Sequence, residues 1–286
     1  MDAELLKGKP VADSMQEMLS EKAHELRKCG IIPKLCIIRV GEKADDIAYE
    51  TGAMKKMEAT GIEVDKVLLD LESSQEELEE IIKEKNSDQA VHGILMLRPL
   101  PLHLDEKRIT QMVSPQKDVD CMNPATLAGI LELSQGSKTP CTPQAVIELL
   151  RYYNVDIAGK RVAVIGRSSV IGKPVALLLL NENATVTICH SKTTDMRSVV
   201  KEADIVVSAM GRAKMIDSSY IKEGATVIDV GMNTDENGKL CGDVDFESVK
   251  SIARAISPVP GGVGSVTTTI LAKNLLSGIE KLIQVN

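Results

Sequence analysis

Val162-Ala163-Val164-Ile165-Gly166-Arg167-Ser168-Ser169-Val170-Ile171-Gly172 decides how the rest of this 286-residue chain is read. Four apolar, mostly β-branched residues make a buried strand, and they run directly into a glycine. A second glycine six positions later opens an apolar run, Val175 to Leu180, of helical length. Strand, glycine turn and helix in that order form a phosphate-binding turn: glycines let the backbone come close, and the helix N-terminus presents free N–H groups to an anion. Ser168 stands where the second glycine of G-x-G-x-x-G would be, so a plain tight turn between strand and helix stays an open alternative.

The end of the next strand bears on which dinucleotide would fit. An NAD site carries an acid there for the ribose 2′-hydroxyl. This chain has Cys189-His190-Ser191-Lys192-Thr193 and no acid. Ser191 and Lys192 can donate to a 2′-phosphate and Arg167 can pair with it, so NADP is favoured over NAD. His190 reads as a strand-end histidine bonded to backbone.

Outward from this turn, strand and helix alternate. The pattern predicts helices over 10–28, 44–60, from Ser74 on, 142–153, 172–181, 195–202 and 267–283. It predicts strands over 35–40, 64–69, 91–97, 161–165, 184–189, 204–209 and 226–230. Ser74 with Glu77 has capping-box spacing, and Pro143 sits at the start of a helix. Alternation of this kind implies parallel sheets. The expectation is an α/β protein of two α/β domains with a cleft between them, the second of Rossmann type. The first spans 1–138 plus 267–286, and the second spans 139–266.

Composition narrows the function classes. A net charge of −7 argues against non-specific nucleic-acid binding. No apolar run reaches membrane-spanning length, and the acidic start lacks a signal peptide's basic region. The six cysteines form no Cys-x-x-Cys pair, which predicts a reduced, cytoplasmic protein with no metal site. Tyr49 is the only aromatic residue before Tyr152, so a flat ligand has few partners to stack on.

Further motifs stand around the glycine turn: Lys117-Asp118-Val119-Asp120, Pro140-Cys141-Thr142-Pro143, Gly172-x-Pro174, Asp229-Val230-Gly231 and Pro258-Val259-Pro260-Gly261-Gly262-Val263-Gly264. Together they resemble the methylenetetrahydrofolate dehydrogenase/cyclohydrolase family over nearly the whole chain. The resemblance implies a homodimer acting on tetrahydrofolate derivatives, with folate stacked on Tyr49 and its pterin hydrogen-bonded by Asp120. It implies catalytic and substrate-binding roles for Tyr49 and Asp120, and substrate contacts from Pro258, Gly261 and Gly262. Gly166, Arg167, Ser168, Gly172, Ser191 and Met232 would meet the cofactor.

The chain also departs from the family pattern. Bifunctional members carry a lysine four residues after the tyrosine, where this chain has Ala53. They carry a glutamine before Leu-Pro-Leu-Pro, where it has Leu97. Cys121 replaces a glycine, and Ser265-Val266 replaces Pro-Met. Hydride loss from a carbon flanked by nitrogens needs placement more than acid or base, whereas hydrolysis needs positioned polar groups. The expectation is therefore a dehydrogenase with weak or no cyclohydrolase activity, a separate cyclohydrolase acting on its product. Lys56, one turn beyond Ala53 on the face of Tyr49, is the candidate to fill the vacant place. The alternatives are a fully bifunctional enzyme, a non-catalytic folate- or nucleotide-binding protein, and an unrelated Rossmann dehydrogenase.

Overall fold

The computed structural model describes residues 2–132 and 137–285. In chain order the elements begin with β1 (Glu4–Leu5), α1 (Gly8–Lys28), β2 (Lys34–Val40), α2 (Ala44–Thr60) and β3 (Glu63–Leu69). Then come α3 (Gln75–Ser87), β4 (Gly93–Met96), α4 (Glu106–Met112), α5 (Pro124–Ala128) and α6 (Cys141–Tyr152). They continue with β5 (Arg161–Ile165), α7 (Gly172–Asn181), β6 (Thr185–Cys189), α8 (Met196–Lys201) and β7 (Ile205–Ser208). The last are β8 (Thr226–Asp229), β9 (Asn233–Thr234), β10 (Leu240–Cys241), α9 (Phe246–Lys250), β11 (Ala255–Ile256) and α10 (Thr267–Val285).

The chain divides into two compact units, one formed by Ser14–Cys141 with Thr268–Asn286, the other by Met1–Asp13 with Thr142–Thr267. In the first unit β3, β2 and β4 make a parallel sheet in that order, with β2 central. Being central and covered, β2 is apolar nearly throughout, and Cys36, Ile38 and Val40 pack with Leu78, Ile82, Ile94 and Ile109. Ser74 caps α3 by accepting from the Glu77 N–H, and Gly61 ends α2 at φ 84°. From α10, Leu275 meets Gly93 and Asn274 donates to the carbonyls of Val119 (2.9 Å) and Thr139 (2.8 Å).

The second unit is a six-stranded parallel sheet in the order β1-β11-β8-β7-β5-β6. Its core joins Ala163, Ile165, Val206, Val227 and Ile256 from the strands to Val200, Ile216 and Val249. From β5 the chain goes outward to β6 and then returns to β7 on the other side. The crevice at the carboxyl ends of β5 and β7 is thus a topological switch point, where ligands bind in sheets of this kind.

Residues 1–13, expected with the first domain, group with the six-stranded unit. The reason is β1, which pairs in parallel with β11 (Glu4 with Ala255, Leu5 with Ile256). Leu133–Gly136, within the range given to the first domain, lie outside the described residues. The helix predicted from Thr142 begins one residue earlier, at Cys141, so Pro143 is its third residue and still in the first turn, where no N–H is needed.

Candidate active site

In the first unit, α2 carries Tyr49 and the segment after Ser114 carries Asp118 and Asp120. The two acids have different work. Asp118 is fully buried and accepts from the N–H groups of Met122 (3.0 Å) and Asn123 (2.8 Å), so its carboxylate holds the turn. Lys117 is also consumed structurally, its ammonium donating to the carbonyls of Lys85 (2.9 Å) and Asp88 (2.6 Å). Asp120 is only half-buried, and its neighbours are Cys141 and Arg98. Burial pushes its carboxyl up from the ordinary value, against the lowering effects of the Cys141 thiol and the Arg98 guanidinium.

Tyr49 is half-buried, and its hydroxyl is driven well above the ordinary phenol value by burial first, with the nearby Asp120 carboxylate adding to the rise. Tyr49, Asp120 and Cys141 are thus one cluster, as the resemblance implied for the first two. At neutral pH the phenol keeps its proton, so it offers a ring face and a hydroxyl rather than a base. Ala53, four residues on, is fully buried, and Leu97 is buried too. The departures at these two positions are packed apolar contacts and not open space. Lys56 is half-buried on α2, and its carbonyl accepts from Thr60 Oγ1 at 2.7 Å.

Sequence reasoning passed over Arg98 and Cys141. Arg98 Nη2 lies 3.8 Å from Asp120 Oδ2, and Arg98 Nη1 lies 3.8 Å from Glu106 Oε1. A signal was present, since Arg98-Pro99-Leu100-Pro101 sets an arginine at the first leucine of the family's Leu-Pro-Leu-Pro. The Cys141 thiol, pushed well above its ordinary value by burial, stays a neutral donor beside Asp120.

In the second unit the glycine turn follows β5. A Cβ on Gly166 would strike the carbonyl of Ala209, and one on Gly172 would strike the carbonyl of Gly166, so both positions require glycine. Ser168 Oγ accepts from the N–H groups of Ile171 (3.0 Å) and Gly172 (3.3 Å), and so caps α7 itself. The N–H groups of Arg167, Ser168 and Ser169 meet no acceptor among the described residues, and these residues are exposed. The donors left open are therefore those of the turn more than those of the helix end. Ser191 and Lys192 are exposed after β6, while His190 Nδ1 accepts from the Lys192 N–H at 3.1 Å.

The loop after β11 lies in the same unit. Gly262 is buried and Pro258 half-buried, and Gly8 donates to the Gly261 carbonyl at 2.8 Å. Met232 is 72% exposed, with its methyl in reach of Gly264. Three residues before Met232, buried Asp229 accepts from the N–H groups of Gly231 (2.9 Å), Asp243 (3.0 Å) and Val244 (2.9 Å), and its carboxyl is raised by burial to about 6.

Sequence comparison adds the family. Residues 6–120 match the catalytic-domain model of tetrahydrofolate dehydrogenase/cyclohydrolase, and residues 140–283 match its NAD(P)-binding-domain model. The chain belongs to the tetrahydrofolate dehydrogenase/cyclohydrolase family. A relative from Clostridioides difficile, "Bifunctional protein FolD", is 51% identical over 277 residues, covering 97% of this chain and 96% of the relative. Among solved structures, the bifunctional enzyme FolD from Campylobacter jejuni superposes with a TM-score of 0.94 at 38% identity, covering 98% of this chain and 99% of that one. The Trypanosoma brucei methylenetetrahydrofolate dehydrogenase-cyclohydrolase, complexed with NADP and an inhibitor, has a TM-score of 0.93 at 38% identity and 99% coverage of both chains. Family membership makes the β5 turn part of an NAD(P)-binding domain and the Tyr49–Asp120 cluster part of the catalytic domain.

Proposed function

We propose that this chain oxidises 5,10-methylenetetrahydrofolate to its 5,10-methenyl form by hydride transfer to NADP. The observation that carries the reading is the cluster of a protonated Tyr49 with the half-buried Asp120, in a chain whose solved relatives are methylenetetrahydrofolate dehydrogenase/cyclohydrolases by name.

NADP, when bound, accepts the hydride. The residues present fit it: the Gly166–Gly172 turn leaves room and free N–H groups for the pyrophosphate, and Arg167, Ser191 and Lys192 are exposed donors for the 2′-phosphate. Tyr49 stacks the folate, and Asp120, ionised, accepts from pterin N–H groups. Pro258, Gly261 and Gly262 would offer backbone groups to substrate, and exposed Met232 would meet the cofactor. Since the nitrogen lone pairs stabilise the cation that hydride loss leaves, these residues need only place and orient the carbon.

For hydrolysis of the methenyl product, two readings differ. The bifunctional names of the whole-length relatives favour a chain that also performs this step, over the single-activity enzyme expected from sequence, and nothing in them points to a separate cyclohydrolase. The single-activity reading rests on the packed, apolar Ala53 and Leu97. In the bifunctional case Lys56 is the candidate polar group on α2.

Purified protein given methylenetetrahydrofolate with NADP, then NAD, tests the first step; no reduction of either supports a non-catalytic binding protein instead. Methenyltetrahydrofolate alone tests the second. Hydrolysis well above the spontaneous rate, lost in Lys56→Ala, establishes the bifunctional reading with Lys56 in it, and a rate equal to buffer overturns it. The same reading makes the protein a cytoplasmic homodimer, which light scattering and fractionation check. Among the described residues no helix is long and apolar enough to cross a membrane.

A further inference from the structure

Among the groups around Asp120, Arg98 is the charged one that the family pattern does not account for. Its side chain is only 21% exposed and lies between two carboxylates, 3.8 Å from Asp120 and 3.8 Å from Glu106. Both neighbouring points of the chain are fixed. Glu106 Oε2 accepts from the Leu100 N–H at 2.9 Å, and Lys43 Nζ donates to the Pro99 carbonyl at 3.0 Å. At these separations the guanidinium acts on Asp120 as a charge through space, and it makes no hydrogen bond among the described residues.

The other groups that face Asp120 add little compensating charge. Tyr49, Cys121 and Cys141 are kept protonated by burial. Asp118 spends its carboxylate on the N–H groups of Met122 and Asn123, and Lys138 faces Asp118 and Cys121. We infer that Arg98 is a specificity-determining residue of the folate subsite: held between Asp120 and Glu106, it offsets the Asp120 charge and suits the subsite to a neutral folate over its cationic oxidation product. The inference rests on the folate chemistry proposed above.

The physical argument is one of charge. Methylenetetrahydrofolate is uncharged at the one-carbon centre, and the methenyl product carries a positive charge spread over the two nitrogens. A bare carboxylate in a half-buried subsite attracts that cation and retains it. A carboxylate paired with a guanidinium attracts it less, while still accepting hydrogen bonds from the pterin. Arg98 thereby favours release of product without touching the reacting carbon. It also keeps Asp120 ionised to lower pH, since an adjacent cation favours the charged form.

The test compares the wild-type enzyme with Arg98→Leu, which restores the family's leucine, and with Arg98→Lys, which keeps the charge. The readouts are the KM for methylenetetrahydrofolate across pH and the inhibition constant of added methenyltetrahydrofolate, taken from initial rates. In Arg98→Leu the ratio of methenyl to methylene affinity rises about threefold or more. The acid-side rise of KM moves to higher pH, and Arg98→Lys restores both. Should Arg98→Leu fail to fold, Glu106→Gln releases the second anchor and concentrates the guanidinium on Asp120, and both readouts move the opposite way. An unchanged affinity ratio and unchanged pH profile in folded variants overturn the role of Arg98. Absence of NADP reduction in the wild-type protein instead overturns the underlying dehydrogenase reading.

Discussion

Glu50 accepts the Arg39 Nε–H at 2.8 Å, with both side chains buried. The pair ties α2 to the central strand β2, and Lys66 approaches the same carboxylate at 3.5 Å. Glu50 directly follows Tyr49, so the anchor fixes the helix turn that presents the Tyr49 ring. Removing the carboxylate leaves a guanidinium buried without its partner. Glu50→Ala is expected to lose about 3 kcal/mol of stability in urea unfolding. Its KM for folate should rise more than its kcat falls, because the ring is displaced and no reacting group is lost. Glu50→Gln, which keeps an acceptor, should lose less; equal losses in the two variants would show that packing and not charge holds the helix.

Tyr49 separates stacking from acid–base work. Its hydroxyl is held protonated by burial and by neighbouring negative charge, and hydride loss calls for no protein base. Tyr49→Phe keeps the ring and should retain dehydrogenase activity within about threefold, while Tyr49→Ser should lose on the order of tenfold or more in kcat/KM. If the bifunctional reading holds, methenyl hydrolysis should suffer more than dehydrogenation in Tyr49→Phe. Parallel kinetics of both steps on the same preparation check this, and an equal, large loss of dehydrogenation in both variants would make the hydroxyl essential.

The long elements were legible because their signals are local. The predicted bounds of α2, β5 and α7 match the structure, since apolar periodicity, Gly61 and the Gly166–Gly172 turn mark them within a few residues. The two-residue strands β1 and β11 were not, because they exist only by pairing between opposite ends of the chain. The short helices α4, α5 and α9 are too brief to show a period. At the candidate site, the motifs around Tyr49 and Asp120 singled them out as residues, and the structure sets them near each other. The division of labour between Asp118 and Asp120 was not legible, for it depends on which carboxylate meets the N–H groups of Met122 and Asn123. Arg98 was visible as a residue but not as a partner, because contacts across the fold leave no mark in spacing.

The proposed preference for NADP over NAD rests on exposed donors and is open to direct measurement. Arg167, Ser191 and Lys192 can each donate to a 2′-phosphate that NAD lacks. Arg167→Ala is expected to raise the KM for NADP about tenfold while moving that for NAD little, since a charge-assisted contact is lost only with the phosphorylated cofactor. Raising ionic strength should weaken NADP binding more than NAD binding in the wild type, and less so in the variant. Equal effects of Arg167→Ala on the two cofactors would place the arginine at the pyrophosphate instead.

Asp229 predicts a pH dependence with a definite sign. Burial raises its carboxyl from 3.8 to about 6, despite three N–H groups from Gly231, Asp243 and Val244 that favour the anion. Between these two values the folded chain binds more proton than the unfolded one, so the slope of stability against pH is negative there. The contribution of Asp229 is fully present below the unfolded value and is lost as pH rises through about 6. Its full size is about 3 kcal/mol, an order-of-magnitude figure for a carboxyl that is almost wholly buried. Carboxylates such as Asp204 and Asp217, which hydrogen bonds hold below their ordinary values, slope the opposite way, so the total curve does not isolate Asp229. The difference between wild type and Asp229→Asn does. The variant should be less stable throughout, because an amide offers one acceptor oxygen to the three N–H groups, and the deficit should shrink as pH rises from 4 to 7. Urea unfolding at several pH values measures it, and a deficit that does not change with pH would mean that Asp229 titrates alike in the folded and unfolded chain.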